Sequence, residues 1–298
     1  MKSELPIRTL LIKNRLSLIV EAILSVTDQK IAKIILFGSY ARGTWVEDTY
    51  IEGHTTYSYQ SDLDLLLIMK KGKSSRLQML KMEEKIEKQL KKKRLEDNPW
   101  VTLIIEPIGA VNKQLETGQY FFSDIKKEGI LLYDSGEYQL SVAKELDAGE
   151  RRAIAQNDYD YWFKRGSGFL TVTKFCAFEN NDFSLAAFEL HQATESFYNA
   201  ILLVFSGYKP KLHDIRKLGC MVSNYHNDLL KIFHIDTSEQ KKCFELLRKA
   251  YIEARYDKNY EINKTQLDYL IKRVEKLKIV TENVCLTEIK RLDEFNFF

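Results

Sequence analysis

The tightest constraint on this chain is a pair of apolar runs, each joined directly to a polar turn. Ile31 to Phe37 leads without a break into Gly38-Ser39-Tyr40-Ala41-Arg42-Gly43, and Leu65 to Ile68 follows at once on Ser61-Asp62-Leu63-Asp64. Both runs are short, rich in Ile and Leu and bounded by turn residues, the pattern of buried strands. The first delivers a small Gly-Ser turn with exposed backbone N–H groups. The second carries two carboxylates at i and i+2, which in a strand point to one face. A glycine-serine cradle for phosphate facing an acidic pair is what a metal–nucleotide site requires.

Around this centre, residues up to about 134 alternate strands with helices. Ile7 to Val26 places Leu11, Ile12, Leu16, Ile19, Ala22 and Ile23 on one helical face. Trp45 to Gln60 reads as a hairpin, its β-prone arms Thr49-Tyr50-Ile51 and Thr55 to Tyr59 flanking Glu52-Gly53-His54. Tyr57 and Tyr59 share a face of it and either line a nucleotide base or pack as an edge extension. Ser74 to Leu95 carries the helical stripe Met79, Met82, Ile86 and Leu90, closed by Lys91-Lys92-Lys93-Arg94. Cations there suit the negative end of the helix dipole, which explains the run better than a nucleic-acid patch does. Asn98-Pro99 breaks the chain, and Val101 to Ile105 is a third strand that ends in Glu106-Pro107. A helix over Gln119 to Lys127 and a strand over Ile130 to Tyr133 complete an α/β or α+β domain with a small mixed sheet.

From about Gln139 the strand-like runs stop. Helices are expected at Ala148 to Glu179, Ser184 to Phe205, Asp214 to Tyr225, Glu239 to Arg255 and Lys264 to Val284, an all-α up-and-down bundle. The expected domains are 1–138 and 139–298, divided near Asp134-Ser135-Gly136. The aromatic-rich helix Tyr159 to Phe178 reads as core or as a dimer interface.

Composition narrows the functional classes. Basic and acidic residues nearly balance, 45 against 42, so bulk charge argues for neither nucleic acid nor membrane. No apolar run approaches the ~18 residues that a membrane span needs, and no leader pattern opens the chain. Cys176, Cys220, Cys243 and Cys285 are far apart, without a C-x-x-C. Reduced thiols and a cytoplasmic location are the expectation, not a zinc site or a disulfide framework.

Singly, each polar piece has an ordinary reading: a turn, a solvated strand end, a surface arginine. Together, Asp62, Asp64 and Glu106 place three acids at the ends of two buried strands. Two carboxylates ~4 Å apart repel by about 4 kcal/mol at an effective dielectric near 20. Three cannot all stay ionised in a cleft without a cation or a raised pKa. Oxygen-only ligands completed by substrate phosphates select Mg²⁺, and two such ions could clamp a phosphoryl or nucleotidyl displacement. Gly38 and Ser39 would hold the outgoing phosphates, and Arg42 could add a charge-assisted bond.

Gly38-Ser39-Tyr40-Ala41-Arg42-Gly43, Ser61-Asp62-Leu63-Asp64 and Glu106 resemble the minimal nucleotidyltransferases of the polymerase-β-like superfamily. Phe121-Phe122 through Tyr133 resembles the end of such a domain. The resemblance implies Mg²⁺-dependent transfer of a nucleoside monophosphate, usually from ATP, with pyrophosphate leaving. It assigns Gly38 and Ser39 to the β/γ-phosphates and Asp62 and Asp64 to both metal ions. Glu106 becomes the third carboxylate, which ligates one ion and activates the acceptor hydroxyl. The step from Ser39 to Asp62, 62 − 39 = 23 positions, is longer than in compact members, and the hairpin fills the difference.

The helical half resembles a HEPN domain through Ser184 to Glu195 and Gly207-Tyr208-Lys209-Pro210-Lys211-Leu212-His213-Asp214. Tyr251 to Tyr256 is similar to the variant found in the sacsin C-terminal domain. Ribonuclease members of that group carry Arg-x(4–6)-His; here Arg255 is followed at the matching distance by Tyr260, so RNA cleavage is not expected. Related domains bind nucleotides or dimerise, which makes His191, Lys209, His213 and Arg255 candidates for a second-domain ligand site and implies a homodimer through the helices. His191 has an equal reading as a hydrogen-bonded core residue. The leading expectation is an adenylyltransferase acting on a hydroxyl of a small molecule or a protein. Its rivals are a nucleotide-binding regulator without turnover, of toxin–antitoxin type, and an RNA-binding helper using Lys91 to Arg94.

Overall fold

The computed structural model describes residues 1–45, 47–52, 55–70, 76–96, 99–210, 212–233 and 235–294, with backbone alone for 48–52, 55–60, 76 and 293–294. The chain divides into two compact units, Met1–Glu145 and Leu146–Phe298.

The first unit is built on β1 (Ile31–Phe37). A 3₁₀ turn at Ile7–Ile12 and α1 (Lys13–Leu24) precede it, where one helix was expected. After β1 come α2 (Gly38–Arg42), the hairpin β2 (Glu47–Glu52) and β3 (Thr55–Gln60), and β4 (Leu63–Met69). Then follow α3 (Arg76–Lys92), β5 (Val101–Pro107), α4 (Ile108–Glu116), α5 (Tyr120–Glu128) and β6 (Ile130–Asp134). The helix α4 was not expected; it starts against Pro107 and contains Gly109, both of which read locally as breakers. The hairpin forms as expected, with Tyr50 opposite Tyr57. Its turn residues Gly53 and His54 and the side chains of Tyr57 and Tyr59 lie outside the described residues, as do Ser74 and Asn98.

The main sheet has the order β5-β4-β1-β6. β1 is antiparallel to β4 and β6, whereas β4 and β5 are parallel. A parallel neighbour requires a crossover, and α3 is that crossover. β1 and β4 are buried almost throughout because helices cover both faces. α1 and α3 pack with Ile34, Leu36, Leu65 and Leu67, and α4 and α5 pack on the opposite side of β4 and β1. Lys33, in the middle of β1, is buried and reaches Asp134 of β6 at 2.6 Å. That ion pair holds the Asp134 carboxyl below its usual range, with a bond from the Gly136 N–H helping.

The second unit is helical: α6 (Ala148–Phe178), α7 (Phe183–Ser206), α8 (Ile215–Ser223), α9 (Ser238–Ala250), α10 (Glu253–Tyr256) and α11 (Lys264–Glu294), with a 3₁₀ turn at Asn227–Leu229. Its starts are written in the sequence. Asp147 and Glu150 form a capping box on α6, Asp182 caps α7, and Thr237 with Gln240 boxes α9. α7 is buried nearly all round and packs against α6, α8, α9, α10 and α11. Phe197 fixes its approach to α6, since a Cβ on Gly166 would fall 2.8 Å from the Phe197 ring. The helix expected over Glu239 to Arg255 is two, interrupted at Tyr251–Ile252. No helix among the described residues is long and apolar enough to cross a membrane.

Candidate functional site

Gly38 is where the sheet meets the acidic pair. The chain leaves β1 and turns at once into α2, with Gly38 at φ 72°, the left-handed region that glycine enters without steric cost. A Cβ there would lie 2.3 Å from Asp64 Oδ2, so both conformation and space require glycine. Asp64 faces Phe37 across the β1–β4 ladder, which is why turn and carboxylate touch. Ser39 is half-buried beside them. Thr9 Oγ1 donates to the Tyr40 carbonyl at 2.7 Å and fastens the turn from behind. The Tyr40 ring stacks on Trp45, with centroids 5.1 Å apart, and the Arg8 guanidinium lies 4.6 Å over Trp45.

The two aspartates titrate unlike surface acids. Burial pushes Asp62 up to about 6, and the hydrogen bond from Thr102 Oγ1, at 3.3 Å, pulls the other way. Asp64 is pushed well above the carboxylate range, first by burial and then by the Asp62 charge, with Arg42 opposing. Arg42 is exposed, and its guanidinium sits 3.7 Å from Glu128. It acts on Asp64 through space.

Glu106 does not join this pair. It is buried, 6% exposed, but stands in register with Ile68, whereas Thr102 is in register with Asp64. Glu106 is four positions along the strand from Thr102, about 13 Å at the usual rise. The third carboxylate expected from sequence is therefore at the far end of the sheet, and a neutral hydroxyl occupies the place beside Asp62 and Asp64. The signal for Thr102 was present: a helix between two strands makes them parallel, which aligns the start of β5 with the start of β4.

Two carboxylates, the Ser39 hydroxyl and the turn N–H groups make an oxygen-rich, anion-tolerant donor set. Burial that raises both aspartates is relieved by a nearby cation. The set suits a single Mg²⁺ that shares its shell with phosphate oxygens. Among the described residues, Thr102 and not a third acid stands beside the pair. Among the described residues no group of three or more His, Cys, Asp and Glu converges as a metal site.

In the second unit the structure joins three of the four named residues around Tyr251. His213 stacks on its ring at 4.5 Å and His191 at 5.3 Å, while the Arg255 guanidinium lies 4.6 Å from the same ring. His213 Nδ1 is 3.0 Å from both Glu195 carboxylate oxygens. His191 is fully buried, with Nδ1 3.0 Å from the Leu247 carbonyl and Nε2 3.0 Å from the His213 carbonyl. Burial pulls its pKa down, against the two carbonyls and Glu195. This is a residue that ties α7 to α9 and to the loop before α8, so the core reading of His191 accounts for it. Lys209 lies elsewhere, 5.2 Å over the Trp162 ring; Lys211 of the same motif is outside the described residues.

The HEPN domain family matches residues 159–284, the stretch from within α6 into α11. No curated protein matches the chain.

Proposed function

We infer that this chain, with its HEPN match over residues 159–284, carries in its first unit a nucleoside triphosphate site that works with Mg²⁺ as a nucleotidyltransferase. The observation that carries the reading is the contact between the Gly38 backbone and the Asp64 carboxylate, with Asp62 alongside. Gly38 and Ser39 hold the β/γ-phosphates through backbone N–H groups and the serine hydroxyl. Asp62 and Asp64 hold the metal ion, which when bound neutralises phosphate charge. Arg42 adds long-range positive potential. An acceptor hydroxyl oxygen bonds to the α-phosphorus, the bond to pyrophosphate breaks, and the hydroxyl proton passes to water. ATP is the favoured donor. The acceptor is a hydroxyl of a small molecule, such as an aminoglycoside-type antibiotic, or of a protein tyrosine or serine. The pairing with a HEPN domain, here of the sacsin-like variant, favours a protein acceptor of the toxin–antitoxin kind, including this chain itself.

Thr102 in the place of a third carboxylate favours a second reading, a nucleotide-binding regulator without turnover. ATP labelled at the α-phosphate, Mg²⁺ and the full chain separate the two. Label on protein or on an added hydroxyl acceptor, with pyrophosphate released, and loss of both in Asp62→Asn/Asp64→Asn, supports transfer. ATP binding that requires the two aspartates, with no label moved, supports the regulator. Binding or transfer unchanged in the double variant overturns the site.

A further inference from the structure

Trp100 stands at the edge of the acidic pair with its ring open to solvent. It is 53% exposed, and among the described residues of the first unit no other aromatic side chain is exposed to that degree. The backbone beneath it is fixed. Arg15 donates to the carbonyls of Leu95 at 2.9 Å and Pro99 at 2.8 Å, and the Val101 N–H donates to the Glu96 carbonyl at 3.1 Å. The Trp100 carbonyl accepts from the Leu63 N–H at 2.7 Å, a rung of the parallel ladder that pairs Leu63 with Val101. Trp100 is thereby held beside the residue that follows Asp62. Val101 turns into the core shared with α1 and α3, and Thr102 reaches Asp62 on the other face. Alternation along the extended chain puts Trp100 on the face of Thr102.

The direction of the reaction says what meets that ring, given the nucleotidyltransferase reading on which this step rests. In such a displacement the attacking and leaving oxygens are roughly in line through phosphorus. The leaving pyrophosphate is held at Gly38 and Ser39, at the end of β1. The strands lie in the order β5-β4-β1, so the line from that cradle through Asp62 and Asp64 continues to β5. Two strand spacings, about 10 Å, separate the cradle from β5, which leaves room for the α-phosphorus and an attacking oxygen. The acceptor therefore enters over Thr102 and Trp100. Thr102 offers it a hydroxyl and Trp100 the face of an indole. The approach is also basic: Lys91, Lys92, Lys93 and Arg94 are exposed at the end of α3 and in the turn that leads to Trp100, a charge that repels a polycation.

We propose that Trp100 is the acceptor-binding residue of this site: the attacking hydroxyl is carried on a ring without positive charge, a phenol or a sugar, whose face stacks on the indole. The chemistry the two share is a flat or C–H-lined ring face, which an exposed tryptophan covers and a serine side chain lacks. The transfer keeps its balance. The oxygen on the ring bonds to the α-phosphorus, the bond to pyrophosphate breaks, and the proton passes to water. Two of the acceptors open to the site are thereby set aside, an aliphatic serine for want of a ring and a polycationic aminoglycoside for its charge.

The test uses the full chain carrying Trp45→Phe and Trp162→Phe, which leaves Trp100 as its one tryptophan, with the circular dichroism of the parent as the control for folding. Mg²⁺ and α,β-methylene-ATP fill the donor site without transfer. Tryptophan emission is then followed as N-acetyltyrosinamide, methyl glucoside, N-acetylserinamide or kanamycin is added. The expected result is a saturable change with a ring compound, with neither the serine compound nor kanamycin giving one; which ring compound responds tells phenol from sugar. By calorimetry, Trp100→Ala weakens binding of that compound about two- to tenfold, the range of one ring–ring contact, Trp100→Phe restores it, and nucleotide affinity stays the same in both. An equal response to the serine compound or to kanamycin overturns the proposal, as does silence with both ring compounds to the limit of their solubility. A change caused by the nucleotide but not by tripolyphosphate also overturns it, because the base then occupies the indole. A nucleotide that does not bind at all, read by calorimetry, removes the nucleotidyltransferase reading itself and the acceptor site with it.

Discussion

Replacing Asp62 with Asn tests the acidic site through stability, before any ligand is known. Burial raises Asp62 from its ordinary 3.8 to about 6, which corresponds to about 3 kcal/mol at 1.36 kcal/mol per tenfold. The sign follows from proton uptake. Between those two values the folded state holds more protons than the unfolded state, so stability falls as pH rises through the window. Below pH 3.8 the group costs nothing; above 6 the folded unit carries the whole penalty of a buried charge. Asparagine keeps an oxygen to accept the Thr102 hydroxyl and removes the charge. The variant should therefore match the parent near pH 3.8 and exceed it by about 1–3 kcal/mol at pH 7.5, the lower figure allowing for partial solvent access at the pair. The two units need not unfold together, so the readout is urea unfolding resolved by hydrogen exchange in β1 and β4. A variant that is less stable than the parent at pH 7.5, or a difference that does not depend on pH, refutes the reasoning. A variant that gains stability while losing ATP binding shows the trade of stability for function expected at a site.

Gly38→Ala should lower the stability of the first unit by about 1–3 kcal/mol through strain and the clash with Asp64, and ATP should no longer protect it against thermal unfolding. Glu106→Gln should leave ATP binding and any transfer within about twofold of the parent, because Glu106 lies about 13 Å along the strand from the pair; a loss like that of Asp62→Asn would show that the acid does reach the site. Phe197→Ala should cost the second unit about 3–5 kcal/mol by opening a cavity against Gly166, read by urea unfolding of the helical signal, with the exchange rates of β1 and β4 unchanged.

Local pattern made much of this protein legible. The buried strands announce themselves as runs of Ile and Leu, and the caps at Asp147, Asp182 and Thr237 mark helix starts that the structure keeps within a residue or two. α4 was hidden because Pro107 and Gly109 are breakers by local rule, yet proline is harmless at a helix start and the helix packs Ile108, Val111 and Leu115 into the core. The break at Tyr251 was hidden because the residues over 239–255 are good helix formers; there the Tyr251 ring stacks with His191 and His213.

What the sequence determined by itself is what depends on neighbours along the chain: strand or helix, the Gly-Ser turn, the acidic pair at i and i+2, and the change of texture between the two units. Which residues meet across the sheet was decided by strand direction. Glu106 reads as a partner of Asp64 only if β5 runs back along β4; the α3 crossover makes it run alongside, and Thr102 arrives instead. Equally, the sequence marks α6 as rich in aromatics, but only packing separates the face that α7 and α11 cover from the face around Gly168 that they leave open. Both outcomes have one physical cause. Periodicity places a side chain on a face, whereas the partner of that face is chosen by topology and burial over the whole unit.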